Sequence, residues 1–298
     1  MKNHARRPGT SRRSAFLALT AFAWAATACG AAPENAWKDH FQDRSGRHGP
    51  EMIAVPGGRF LMGSVPRDPE YHMSEVPHAV ELSGFALGRY EITWEEIAEF
   101  LNEVGNDDGG VPRVDLFWKG VGLRLEDGVF RLAPGAARLP VTGISWRGAL
   151  AYAEWLSRKT GEIYELPTEA QWGWAARAGT DTVWPWGNSF EPSRLNCSGG
   201  AESRLMPVGS YPPDPNGIYD LLGNVWEWTL DCFAGDFYFY APVQDPKLLD
   251  PCCLAPGIRG GSFRDPAGFC HPAYRINYWW RGFPGGIGFR VARRLEKE

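Results

Sequence analysis

The 298-residue chain contains no Cys-x-x-Cys pair, no apolar run of the roughly twenty residues that a membrane-spanning helix needs, and no internal repeat. The first absence argues against a zinc ribbon or a thioredoxin-type site, the second against a spanning helix, and the third against a propeller. A basic excess is also missing. Lys and Arg number 31 against 35 Asp and Glu, a formal charge of −4, so no nucleic-acid partner is expected. The six histidines show no metal-ligand spacing. What is plentiful is glycine, proline and aromatic side chains: 36 Gly, 24 Pro, 14 Trp, 10 Tyr and 16 Phe. With 44% hydrophobic residues, that composition supports a folded, loop-rich chain rather than a helical bundle or a disordered one.

Residues 1–13 carry Lys2, Arg6, Arg7, Arg12 and Arg13 and no acid. An apolar stretch runs from Ala15 to Ala26, and Ala26-Thr27-Ala28 precedes Cys29. A basic segment, a short apolar segment and an A-x-A site predict a signal peptide over 1–28. Cys29 directly after that site resembles a bacterial lipoprotein cysteine, which would carry a lipid. Simple cleavage would instead release a soluble product. The expected location is the periplasm or cell envelope, or alternatively the medium, with a lipid on Cys29 as the only membrane link. Residues 29–50 are polar and aperiodic and read as a tether, which puts the folded domain at 51–296.

Export permits disulfides. Beyond Cys29 the cysteines are Cys197, Cys232, Cys252, Cys253 and Cys270, an odd number, so at least one thiol stays free or pairs with another chain. Adjacent Cys252 and Cys253 cannot easily bridge each other, and either can pair with Cys232.

Met52–Val55 and Arg59–Met62 flank Pro56-Gly57-Gly58 and predict a hairpin. Further strands are expected at 79–82 and 85–91. Thr93 and Glu96 form a capping box for a helix to about Glu103, with Ile97, Phe100 and Leu101 on its buried face. Ser145 caps a second helix that Gly161 ends, and Thr168 with Gln171 opens a third. Beyond Gly179 little helical period remains. Bound metal, disulfides or packed Trp side chains must then order long loops.

Several motifs together resemble the formylglycine-generating enzyme (sulfatase-modifying factor) family. They include Met52–Phe60 with Met62-Gly63-Ser64, Glu75–His78, Gly88–Thr93, Pro140–Trp146, Leu166–Trp172 and Ala175–Gly179. Trp186-Gly187-Asn188, Asn216–Asp220, Gly223–Trp228, Arg259–Phe263 and Gly288-Phe289-Arg290 continue the series in unbroken order. The resemblance implies an α+β fold, a C-type-lectin-like variant with little regular secondary structure and bound calcium. In oxidase members two cysteines, two and seven residues after Gly-Gly-Ser-Phe, hold copper(I) and convert a substrate cysteine to formylglycine.

Here those positions are Asp265 and Cys270. A carboxylate is a hard ligand and a poor partner for copper(I), so the sequence argues against that chemistry unless Cys252 or Cys253 supplies a second sulfur. The candidate catalytic residues are Cys270, Ser262 and His271, the last as an activator of the neighbouring thiol. The resemblance also places calcium ligands at Asn224 and Glu227, with Asn196 beginning a second site. Most of the Trp side chains are expected to pack. Trp279 and Trp280, beside Arg275, fall in the stretch that lines the family's substrate groove. Two functions follow as expectations: an oxidase acting on a protein or peptide cysteine, or a calcium-stabilised binding and assembly module without catalysis. The partner is a protein, peptide or small molecule.

Overall fold

The computed structural model describes residues 35–43, 45–65, 68, 72–116, 122–198, 204–279 and 285–295. The expected signal segment, Cys29 and Trp280 lie outside them. The fold is α+β and loop-rich, as expected. An antiparallel five-stranded sheet runs in the order β1 (Ala36–His40), β2 (His48–Val55), β5 (Phe85–Gly88), β13 (Ala292–Arg294), β8 (Tyr164–Glu165). A second sheet has the order β11 (Arg275–Asn277), β10 (Pro256–Arg259), β9 (Trp226–Cys232), β12 (Ile287–Gly288), with only β9–β12 parallel. Two small antiparallel pairs complete the strands: β3 (Gly58–Met62) with β4 (His78–Leu82), and β6 (Leu123–Glu126) with β7 (Val129–Leu132).

The three helices start where their caps predict. Thr93 and Glu96 close a reciprocal capping box on α1 (Trp94–Val104). Ser145 accepts from the Gly148 amide at the start of α2 (Trp146–Thr160), which ends on Gly161 in the left-handed conformation. Thr168 and Gln171 cap α3 (Glu169–Arg177). These side chains satisfy backbone donors that the first helical turn cannot pair internally.

The first sheet is covered on both faces. Met52 and Ala86 point to the cluster holding Phe100, Tyr152 and Leu156 of α1 and α2. Their neighbours Ile53, Val55, Phe85 and Leu87 point the other way, to a cluster holding Trp172 of α3 and both Cys197 and Cys270. The period-two alternation of the strand thus divides the interior into two cores.

Two sequence expectations fail here. The 52–62 hairpin does not form, because β2 pairs with β1 and β5 while β3 pairs with β4. Pro56-Gly57-Gly58 carries the chain from one sheet to another, and a Cβ on Gly57 would fall 2.3 Å from Leu82 O. The tether is also shorter than read, since 36–40 supplies an edge strand whose partner β2 begins at His48. Lys38 and His40 are exposed while polar Asp39 turns inward, so the strand lacks the apolar alternation that would have marked it.

Cys232 at the end of β9 is bonded to Cys253 across 21 residues, and Cys252 is exposed and free. Closing a loop of that size stabilises by about 3 kcal/mol. Cys253→Ser is therefore expected to lower the urea unfolding free energy by about that much, while Cys252→Ser leaves it unchanged.

Candidate functional site

The Gly-Asn-Val-Trp-Glu-Trp segment enters β9 through a buried polar knot. Glu227 accepts from Arg290 Nε and Nη2, each at 2.7 Å, and from Trp172 Nε1 at 2.8 Å. Arg290 also donates to Gly88 O and Tyr219 O. Asn224, at φ 58°, donates to Glu91 Oε2 at 2.7 Å, and the Val225 amide donates to the other Glu91 oxygen. Burial, reinforced by Asp220 and Glu227, pushes Glu91 well above the ordinary carboxylate range.

Beside this knot the chain crosses itself. Asn224 N donates to Asn196 O at 2.7 Å, and Ser198 N donates to Asp265 O at 2.8 Å. Cys197 is pinned between these two bonds beside Cys270, in the same buried cluster. Both cysteines are 0% exposed. The Cys270 thiol lowers Cys197, while Cys270 is pushed up by its neighbour, by burial and by Asp265. The pair therefore holds its second proton tightly. Cys270 Sγ lies 3.8 Å from Ser262 O, and a Cβ on Gly261 would come within 2.5 Å of it, so this loop accepts only glycine there. Asp265 Oδ2 accepts from Trp226 Nε1 at 2.8 Å, from Ser262 N at 3.0 Å and from Ser262 Oγ. The carboxylate closes the loop.

A second sulfur thus stands beside Cys270, but it is Cys197. Cys253 is engaged in the disulfide and Cys252 is exposed. Spacing after the Gly-Gly-Ser-Phe motif could not reveal Cys197, which arrives through a chain crossing. The only signal was its place next to Asn196.

The other candidates are scattered. Ser262 serves Asp265. His271 is buried with Nδ1 3.4 Å from Asp68 Oδ2, and burial lowers its basicity to about 4, so it turns toward Asp68 instead of forming a dyad with the thiol. Arg275 is buried, pairs with Glu169 Oε2 at 2.8 Å and lies over the Tyr238 and Phe233 rings. Trp279 is 59% exposed.

The expected calcium ligands fit unevenly. Both Glu227 oxygens are committed to Arg290 and Trp172, and Asn224 Oδ1 accepts from Asn196 Nδ2 and Met206 N. Asn224 Oδ1 has both lone pairs taken, and Glu227 keeps one on Oε1 beside the Arg290 guanidinium, a charge that opposes a cation there. Asn196 Oδ1 does fit, being a buried acceptor without a hydrogen-bond partner. The donor chemistry of Cys197 and Cys270 fits copper(I), although neither sulfur reaches solvent.

Residues 30–295 match the sulfatase-modifying factor enzyme 1-like domain. The chain belongs to the sulfatase-modifying factor family. It is similar to the "Serine/threonine-protein kinase pkn1" of Chlamydia pneumoniae, at 33% identity over 255 residues, covering 82% of this chain but only 38% of that protein. The "Inactive C-alpha-formylglycine-generating enzyme 2" of Mus musculus is 32% identical over 297 residues, covering 82% of this chain and 85% of that one. The "Formylglycine-generating enzyme" of Mycobacterium tuberculosis is 30% identical over 303 residues, covering 80% and 96%. Among solved structures, PvdO from Pseudomonas aeruginosa superposes with a TM-score of 0.72 at 28% identity, covering 89% of this chain and 100% of that one.

In this sulfatase-modifying factor domain the Glu227–Arg290 pair is a stability determinant. Arg290→Met leaves a buried carboxylate unpaired, and the expected loss is about 3–5 kcal/mol in urea unfolding.

Stability should also depend on pH. Burial raises Asp214 and Asp220 from 3.8 to about 6, and burial with Glu169 raises Asp231 from 3.8 to about 7. The folded state then binds protons more tightly than the unfolded one. The contribution of these groups is complete below about pH 4 and is lost as pH rises through about 6 to 7. The urea midpoint is expected to be lower at about pH 8 than at about pH 5.

Proposed function

We propose that this sulfatase-modifying factor domain is exported and works at the cell envelope as a binding or assembly module, not as a copper-dependent formylglycine-generating oxidase. The observation that carries the reading is Asp265. It occupies the position of one expected thiolate, and its Oδ2 is held by Ser262 and Trp226 as a loop anchor. A hard carboxylate committed in this way is a poor ligand for copper(I). The burial of Cys197 and Cys270 inside an apolar cluster supports the same reading, because among the described residues neither side chain is exposed to a substrate thiol. Similarity to a mouse protein named as inactive agrees with it.

The basic and apolar segments before Cys29 support export, with a lipid on Cys29 holding the domain to the membrane. Exposed Trp279, with Trp280 next to it in sequence, offers an aromatic contact for a protein, peptide or small-molecule partner. Calcium bound through Asn196 Oδ1 would order the crossing of 196–198 over 223–224.

One observation favours the oxidase reading: Cys197 supplies the second sulfur beside Cys270. Copper(I) held by these two thiolates would supply oxygen activation for converting a substrate cysteine to formylglycine. One experiment separates the two. The full chain is incubated with copper(I), oxygen and a cysteine-containing sulfatase peptide. The expected result is an unchanged peptide mass and no stoichiometric copper on the protein. Loss of the thiol mass, with copper binding abolished by Cys197→Ser and by Cys270→Ser, would establish the oxidase instead.

A further inference from the structure

We propose that Asp68, Glu75 and His271 form a binding site for a divalent transition ion of the zinc class, built from carboxylate oxygen and imidazole nitrogen without sulfur. One ligand atom from each residue lies within 4.8 Å of the others, and Asp68 Oδ2 stands 3.4 Å from His271 Nδ1. Two ligands on one tetrahedral ion with bonds of ~2.0–2.1 Å are separated by roughly 3.4 Å, so this pair already has the spacing of a shared ion. Glu75 needs only a small approach to complete the set.

The independent observation is an orphaned atom. Glu75 is 0% exposed, yet its Oε1 has no hydrogen-bond partner. Buried polar atoms are nearly always paired, and an unpaired carboxylate oxygen away from water carries a large desolvation penalty. A cation satisfies it where a neutral donor is lacking. The other Glu75 oxygen is fixed by Ser64 Oγ, and the Ser64 amide donates to Glu75 O, so the carboxylate is oriented in advance.

The imidazole is placed by its Nδ1, which faces Asp68 and accepts from the Ala273 amide at 3.4 Å. Arg177 and Arg259 lie near enough to act on the ring. Both guanidiniums are engaged elsewhere, Arg177 on Gly63 O and Arg259 on Pro272 O and Tyr238 Oη. They oppose a second positive charge, so binding is expected to be weaker than in a closed structural zinc site. Mixed oxygen and nitrogen donors select ions such as Zn2+ or Co2+ over copper(I). This site is independent of the binding-module reading and would stand if that reading failed.

The test uses the full chain carrying Cys252→Ser, which removes the exposed thiol, after chelator treatment. Zn2+ is titrated by calorimetry and Co2+ by absorption. The expected result is one equivalent bound, with Co2+ bands of oxygen and nitrogen ligation and no thiolate charge-transfer band. His271→Gln and Glu75→Gln should each weaken binding about tenfold or more, while Cys270→Ser leaves it unchanged. Near-UV circular dichroism identifies any variant that fails to fold, and Asp68→Asn then takes its place. No binding by the folded parent chain would overturn the proposal. So would affinity unaltered in the folded variants, or a thiolate band that disappears with Cys270→Ser.

Discussion

Arg290 and Glu227 meet through two 2.7 Å contacts with neither side chain reaching solvent, and the rest of the molecule converges on them. Arg290 holds Gly88 at the end of one sheet, Glu227 belongs to β9 of the other, and Trp172 brings α3 to the same carboxylate. Burying two charges is unfavourable unless every lone pair and proton finds a partner. That condition allows very few arrangements of the surrounding loops. A chain with short strands and, among the described residues, three α-helices gains a defined packing of its two larger sheets from this one polar contact.

The same constraint gives several motif residues that look chemical a part in holding the fold. Glu227 is an ion-pair partner, and Asn224 is a left-handed turn residue bonded to Glu91 and Asn196. Arg275 is a clamp on Glu169 beneath two aromatic rings. Asp265 ties its own loop to Trp226. What remains with soft-ligand chemistry is the Cys197–Cys270 pair, and it sits inside the second core. A shared fold carries no activity by itself, so the nature of this chain's site rests on access and ligand type.

Local sequence determined a good deal. The capping residues Thr93, Ser145 and Thr168 set the helix starts because each makes a bond within three residues of itself. The ordered motifs announced the family and its loop-rich α+β fold, and the change to Asp265 was visible by counting along one loop. The partners of strands were not visible. β2 and β3 carry the pattern of a hairpin, yet sheet pairing depends on long-range contacts that an alternating pattern leaves open.

Only the tertiary structure decided which sulfur stands beside Cys270 and which atoms are left without partners. Cys197 reaches it through backbone bonds to Asn224 and Asp265, and Asp68 and Glu75 reach His271 from the other end of the chain. Sequence by itself determined the residue types available for this chemistry and the local conformations around them. Burial and pairing are properties of the packed whole, because whether a thiol, carboxylate or imidazole is free depends on what the distant chain places against it.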